Sequence, residues 1–598
     1  MPGLNPFSNP EPITPSSPAP AAKAGHYLPE RGWERTAWIA LFATLVVVKG
    51  MAIVHYRIDS DETQHAHVVW AWTRGLLPYR DVFDNHMPLF HMAMAPLFAL
   101  LGEHPYIMVE LRLAVLPLFF VCLWCVFKLT AQLFSVRIAP WVALASAALP
   151  TFFYTSTEFR PDIAWATVWL LALVVALGGV FTPRRAFALG VLLGLALALS
   201  IKTPVLWAAL GIAAAIAFGL NAWPRKQRVA WRRVALALAV MAGGAALAPG
   251  AIALFFAAKG ALPALINCVI RHNILPGLKR WGRISFNRWI FPVSIPALLG
   301  LGVLVHRQAP NGAVAVRRVI LLVMPCAFAA LLFSYSPEVT RQDCLPYFPL
   351  LPLVAIPFLT WLREKVTIPA VEARFFRWIV PAVCLAELLW IWNLNPLRSN
   401  RMKATTRSIR DVLLLTGRED YVMDSEGDYV FRKRPYYWVF ETVTKARIRL
   451  GLIPDELPDA LKTTGTPLCY LYAEHLKPAT SVFITSNYIP FDPDALDLGV
   501  AGKELGAPSP DGTYSFDVAI PASYAVASEN GVTAGTMDGA SYVGAAWLGA
   551  GRHTFRRTAG SGRAAIFLGR AAGAGFQPLF DASEKIIKEE RKRKAAGD

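Results

Sequence analysis

The stretch TAWIALFATLVVVKGMAIV (residues 36–54) runs straight into HYRIDSDETQHAHVVWAWTRGLLPYRDVFDNHMPLF (residues 55–90). The first run is close to the roughly 20 apolar residues that cross a bilayer. The second is crowded with carboxylates, imidazoles and tryptophans. A loop that only joins two spans needs a few residues, so the junction reads as a membrane anchor followed by a loop with chemistry of its own.

The rest of the chain supports that reading. Of 598 residues, 55% are hydrophobic and only 17% charged, against roughly 25% charged in a soluble protein. This excludes an ordinary cytosolic enzyme and a disordered scaffold. Lys and Arg number 59 against 41 Asp and Glu, a net charge of +18. In a membrane protein such an excess is first a topology signal, so no nucleic-acid partner is expected. Cys122, Cys125, Cys268, Cys326, Cys344 and Cys384 lie in or beside apolar runs and Cys469 is alone in a polar region, which implies no disulfide framework.

Further apolar runs cover residues 107–134, 139–154, 163–181, 186–200, 204–220, 234–258, 289–305, 319–335, 345–362 and 376–392. With the first they make about eleven transmembrane helices. Residues 87–102 are apolar but short, hold Pro88, His91 and Pro96, and read as interfacial or re-entrant. Residues 1–35, rich in Pro, Ser and Ala, read as a disordered cytoplasmic tail before an uncleaved anchor. With the N-terminus inside, the basic clusters Arg184/Arg185, 225–233, 307–318 and 363–377 all fall on the cytoplasmic side. The loop 55–106 and everything after residue 393 then lie outside.

The expected fold class is an α-helical polytopic membrane protein, residues 36–393, with a smaller C-terminal extracytoplasmic α+β domain, residues 394–582. Residues 583–598 form a charged tail. The C-terminal domain opens with a helix-like stretch at 408–415. Strand-like runs follow at 421–423, 429–431, 469–472, 481–484, 514–518, 542–547, 553–556 and 564–568, with Gly-rich turns between the later ones.

In the first outer loop, a helix over 61–73 would set Asp61, His65, Val68 and Trp72 near one face. The bland reading is an interfacial amphipathic helix. The arrangement also resembles the bacterial polytopic glycosyltransferases of the GT-C superfamily. Closest are protein mannosyltransferases, lipid A aminoarabinose transferases and galacturonosyltransferases of the lipopolysaccharide core. There an Asp-Glu pair opens the first extracytoplasmic loop, here Asp61-Glu62. Arg74-Gly75-Leu76-Leu77-Pro78-Tyr79-Arg80-Asp81 and Asp84-Asn85-His86-Met87-Pro88-Leu89 are similar to the family's G-x-x-P-Y-R-D…D-N-H-P-P-L, with Met87 in place of the first proline. Phe159-Arg160-Pro161-Asp162 lies where the family often has an acid. The resemblance covers residues 36–395 and is looser beyond.

The resemblance implies a bacterial inner-membrane enzyme with a periplasmic C-terminal domain. It would move a sugar from a polyprenyl-phosphate donor to an envelope glycan, lipid or protein acceptor among membrane lipids. A phosphate leaving group needs no general acid, so one carboxylate suffices to take the acceptor proton, and inversion follows. Asp61 is the candidate base, Glu62 orients the acceptor or the loop, and Asp59 and Asp162 are second choices. The departing phosphate needs fixed positive charge. Lys202 and Arg341 offer it, as do Arg271, Arg280 and Arg283 in a loop of unusually basic character for the outer side, with Lys279 beside them. His65, Tyr79, Asp84, His86 and Tyr347 are expected to position substrate. His65, His67, His86 and His91 with Asp59 and Asp61 raise a metal reading. But His65 and His67 are two apart on one helix and no HExxH occurs, so no metal or other cofactor is expected, a divalent ion being the minor alternative. The rival reading from another class is a secondary transporter or flippase of envelope precursors.

Overall fold

The computed structural model describes residues 29, 32–179, 182–222, 231–275, 312–335, 339–365, 378–393, 399–471, 476–492 and 497–580. The described helices open with α1 (Gly32–His55), the short and mostly buried α2 (Ser60–Thr73) and α3 (Leu89–Leu101). There follow α4 (Ile107–Leu133), α5 (Ala139–Ala148), α6 (Pro150–Thr155), α7 (Pro161–Leu177), α8 (Pro183–Leu199), α9 (Thr203–Ala222) and α10 (Trp231–Ala258). Then come α11 (Leu262–Ile266), which runs into a π turn at Asn267–Arg271, α12 (Gly312–Tyr335), α13 (Leu350–Lys365) and α14 (Ile379–Asn393). Among the described residues, α1, α4, α9, α10 and α12 are long and apolar enough to cross a membrane.

The other expected spans take different forms. The run 139–154 is broken by Pro150 into α5 and α6, since proline cannot donate the helical hydrogen bond and fits best at a helix start. The run 163–181 is the 17-residue α7, and 289–305 lies outside the described residues. Residues 87–102 form α3, 13 residues long with Pro96 inside it. Close packing of α8 on α10 is written in small residues. A Cβ on Gly190 or Gly194 would meet the backbone carbonyl oxygens of Met241 or Ala245 at 2.0 or 2.4 Å, so only glycine admits this approach.

The C-terminal domain carries α15 (Lys403–Leu415), α16 (Thr442–Arg449), α17 (Leu457–Thr464), α18 (Pro478–Asn487) and α19 (Gly569–Gly573). Its sheet comprises β1 (Val422–Met423), β2 (Leu468–Tyr470), β3 (Tyr488–Pro490), β4 (Leu498–Leu505), β5 (Thr513–Val518), β6 (Ala522–Met537), β7 (Ala540–Ser541), β8 (Ala546–Leu548) and β9 (Gly551–Leu568). The order is β1-β2-β4-β9-β6-β7, with β3 also on β4, β5 on β9 and β8 on β6. Among these strands β1 and β2 pair in parallel and the other pairs are antiparallel.

Two strand expectations are corrected. Residues 481–484 lie in α18, which Pro478 opens at its first turn, and Thr480 and Ile484 bury one helical face. Residues 429–431 form no strand: Val430 and Arg432 take φ of 63° and 95°, and the segment turns toward α2. The runs 553–556 and 564–568 are two ends of one strand, β9. Its middle, with Gly560 and Gly562 at positive φ, pairs with β6 through shifts of register.

Candidate functional site

Asp59 caps α2. Its side chain accepts from the Asp61 N–H, and Glu62 Oε1 accepts from the Asp59 N–H at 3.0 Å. This reciprocal cap starts the helix at residue 60. Successive helical residues diverge by about 100°, so Asp61 and Glu62 leave the first turn in different directions.

Glu62 turns inward and is fully buried. Arg112, from α4, donates to its carboxylate through Nε at 2.8 Å and Nη2 at 2.5 Å, and the Phe159 N–H donates at 2.9 Å. Arg112 also donates to the carbonyls of Tyr56 and Arg57 at 2.9 and 2.7 Å. Glu62 thus ties together α1, α2, α4 and the approach to α7. It positions the loop and has no surface left for an acceptor.

Asp61 turns outward, with a third of its side chain exposed. Arg160 Nη2 stands 2.6 Å from its carboxylate. The same buried guanidinium reaches Asp59 and Asp162, each at 3.1 Å. Arg57 approaches Asp59 from the solvent side at 3.0 Å. Burial works against the Arg160 charge, but Asp61, Asp162, Glu158 and Asp59 outweigh it and raise its pKa well above the ordinary value. Burial also pushes the neighbouring Glu158 carboxyl above its usual range, against the pull of Arg160 and with the help of Glu62 and Asp59.

A row of imidazoles adjoins this cluster. His86 Nδ1 lies 3.0 Å from Asp84 Oδ1, His91 Nδ1 lies 3.4 Å from Asp84 Oδ2, and His91 Nε2 lies 3.0 Å from His65 Nδ1. Asp84, His91 and His65 are fully buried; His86 keeps a third of its side chain exposed. Burial lowers the His86 pKa, but the hydrogen bond and charge of Asp84, with the charge of Asp61, raise it overall. His65 is driven well below the usual value by burial, then by His86, His91 and Arg160. The outer imidazole therefore favours the cation and the inner one the neutral form. Tyr79 positions this row. It adopts φ of 70°, rare for a non-glycine residue, and its hydroxyl donates to the His86 carbonyl at 2.7 Å.

The expected phosphate contacts divide. Lys202 is paired with Asp343 and feels the charges of Asp162 and Arg160, so it stands beside the carboxylate cluster. Gln342 joins its segment to Glu158 at 3.4 Å. Arg341 is exposed. Tyr347 is 6% exposed and packs in the main core of the membrane half. Arg271 is exposed at the end of the π turn and donates to Asn267 at 3.0 Å. Arg280 and Arg283, with Lys279, lie outside the described residues. No group of three or more His, Cys, Asp or Glu with metal-holding geometry occurs among the described residues.

The C-terminal domain completes the site. His67 Nδ1 lies 2.7 Å from the Val430 carbonyl. Gly427, at φ 102°, lies so close to α2 that a Cβ there would stand 3.0 Å from His67 Cβ and 3.1 Å from Gln64 Cα. Arg432 pairs at 2.8 Å with Glu103, which accepts from Trp70 Nε1 at 3.0 Å. The Tyr437 hydroxyl donates to the Tyr79 carbonyl at 2.6 Å. Arg447 on α16 holds the carbonyls of Arg271, His272 and Ile274, and Asn273 in turn donates to the Asn85 carbonyl at 3.0 Å.

Sequence reasoning assigned no role to Arg160, Arg112 or Glu158, and met His91 only in the metal reading. Arg112 carried a signal, a charge inside an apolar run. So did Lys49, which is buried in α1 and donates to the Phe153 carbonyl at 2.6 Å and the Thr157 hydroxyl at 2.7 Å. Arg160 stood in the quoted Phe159–Asp162 motif, but attention fell on the acid.

Fold and site together define a multi-pass helical membrane protein whose first long loop is roofed by a C-terminal α+β domain. Its fold is that of ArnT from Cupriavidus metallidurans in the apo state: TM-score 0.50 and 16% identity, over 78% of this chain and 98% of that one. The undecaprenyl-phosphate-bound structure of ArnT aligns with TM-score 0.49 over the same shares at 16% identity. An oligosaccharyltransferase from Archaeoglobus fulgidus in the apo form aligns with TM-score 0.44 and 10% identity, over 77% of this chain and 74% of that one. No protein-family model and no curated protein matches the sequence. At 16% identity the likeness to ArnT is one of fold.

Proposed function

We propose that this chain is a membrane glycosyltransferase. It moves a sugar from a polyprenyl-phosphate donor to a hydroxyl of an envelope glycan, lipid or protein acceptor at the extracytoplasmic face of a bacterial inner membrane. The observation that carries the reading is Asp61, a carboxylate one-third exposed at the head of α2 and held by buried Arg160. The acceptor oxygen attacks the anomeric carbon while Asp61 takes its proton; the carbon–oxygen bond to phosphate breaks, and polyprenyl phosphate leaves. A single displacement inverts the anomeric centre. Lys202 and the cationic form of His86 flank the cluster and meet the developing phosphate charge. The fold shared with ArnT supports the same reading.

The test is initial-rate transfer by the full chain in nanodiscs, with lipid-linked sugar extracted from the native membrane. Asp61→Asn should abolish nearly all transfer at equal protein level; full activity would remove the reading. A reporter active only in the cytoplasm, fused near Gly465, should stay silent. A transporter would instead move lipid-linked sugar across vesicles and be indifferent to Asp61→Asn.

A further inference from the structure

A cavity of about 360 Å³ adjoins the carboxylate cluster, between the head of α2, α15 and the loop 425–429 of the C-terminal domain. Asp59 belongs to both. Glu426, Asp428 and Asp497 add three more carboxylates to its wall, and no basic side chain lines it among the described residues. Lys445 stands outside the lining, 3.9 Å from Glu426, and Arg57 and Arg160, also outside it, pair with Asp59. Serine and threonine hydroxyls from α2 and α15 fill much of the remaining wall. Tyr429, a residue only 2% exposed, borders the cleft, and its buried hydroxyl has no hydrogen-bond partner among the described residues. A buried hydroxyl left without a partner costs free energy that a bound polar group would recover.

Resting on the transferase reading, we infer that this cleft receives the acceptor and that the end which enters is a neutral, polyhydroxylated sugar. Carboxylates and hydroxyls accept hydrogen bonds from neighbouring sugar hydroxyls, and the Tyr429 hydroxyl both donates and accepts. Asp59, Asp428 and Asp497, with no cation in the lining, disfavour a phosphate or uronate terminus, while Glu426 keeps its proton at neutral pH and can donate to a sugar hydroxyl. Crowding of these acids is evident in Glu426, whose carboxyl is pushed up to about 8 by burial and by Asp61 and Asp428. Asp61 follows the lining residue Ser60 and acts on the charge of Glu426, so a sugar in the cleft lies beside the base.

The experiment reads binding without donor. The full chain in nanodiscs is titrated with an octyl hexoside, an octyl aminohexoside and an octyl hexuronide, and saturation-transfer NMR is compared with empty nanodiscs. The neutral hexoside should bind and the hexuronide should not. Trp at Ala404 or Thr405, α15 positions that border the cleft without being buried, should weaken the hexoside by at least about tenfold. Unchanged binding in both Ala404→Trp and Thr405→Trp, or a hexuronide that binds as well as the hexoside, overturns the inference. So does a preference for the aminohexoside that disappears in Glu426→Gln and Asp428→Asn, which would make this a cation site. A parent chain that binds the hexoside but turns over no lipid-linked sugar retires the transferase reading instead.

Discussion

Two arginine-centred regions flank the head of α2, and they differ in charge balance. Arg112 meets one carboxylate, Glu62, and spends its remaining donors on backbone carbonyls and the Met402 sulfur, all out of water. Arg160 meets three carboxylates, one of them a third exposed. The first region is closed and neutral, and its chemistry is finished within the protein. The second carries excess negative charge at an opening, and its chemistry is finished only by something that enters. Adjacent residues in the sequence, Asp61 and Glu62, thus belong to opposite kinds of site.

The sharpest break of this comparison is Glu62→Ala. It leaves Arg112 buried and unpaired, which costs about 3–5 kcal/mol, and should appear as a large fall in the melting temperature of the purified chain. Asp61→Asn should show the reverse, a loss of about 100-fold or more in transfer with melting unchanged. If both variants lose stability alike, the distinction between the two regions fails.

Next in size is Gly427→Ala. A Cβ at φ 102° is strained and presses on His67 and Gln64, so the loop 424–430 must retreat from α2 at about 1–3 kcal/mol. Transfer should fall several-fold, and the His67 ring, observed by NMR, should lose the signature of its bond to Val430.

Glu426 gives a smaller, pH-dependent effect. Its carboxyl sits at about 8 in the folded chain, against about 4.3 when free. Between those values the folded chain keeps a proton that the unfolded chain has released, so stability falls as pH rises through the window. Glu426→Gln should therefore melt higher than the parent near pH 9 and no higher near pH 4.5, and an equal pH slope in both proteins would refute the shift. Smallest of all is Arg57→Ala. Half of its side chain is exposed, and such pairs contribute under about 1 kcal/mol, so melting should barely move.

The membrane half was largely legible because bilayer spans declare themselves by length and apolarity, and the loop because Asp59, Asp61, Glu62 and the Pro78–Leu89 motif crowd into so few residues. What stayed hidden was pairing across the sequence. Nothing local ties Glu62 to Arg112 or His65 to His91, since those contacts depend on helix packing. The C-terminal strands were legible where β-branched and aromatic residues cluster, as at Thr513–Val518. They were lost at β4, at β6 and in the glycine-containing middle of β9, which pair over long separations, and where α18 carries β-branched residues on a helix. The acidic cleft was illegible for the same reason: its walls come from α2, α15 and three later segments of the chain.

The clasp between His67 and Val430 joins residues 363 positions apart. At about 5–20 residues per second, a ribosome needs about 20–70 s to cover that distance. Through that interval α2 has already reached the membrane surface while the loop that presses on it has yet to be made. A nascent or prematurely terminated chain therefore carries Asp61 without the Gly427 contact that braces its helix. The order of synthesis itself withholds the assembled site until the final domain has been released and folded.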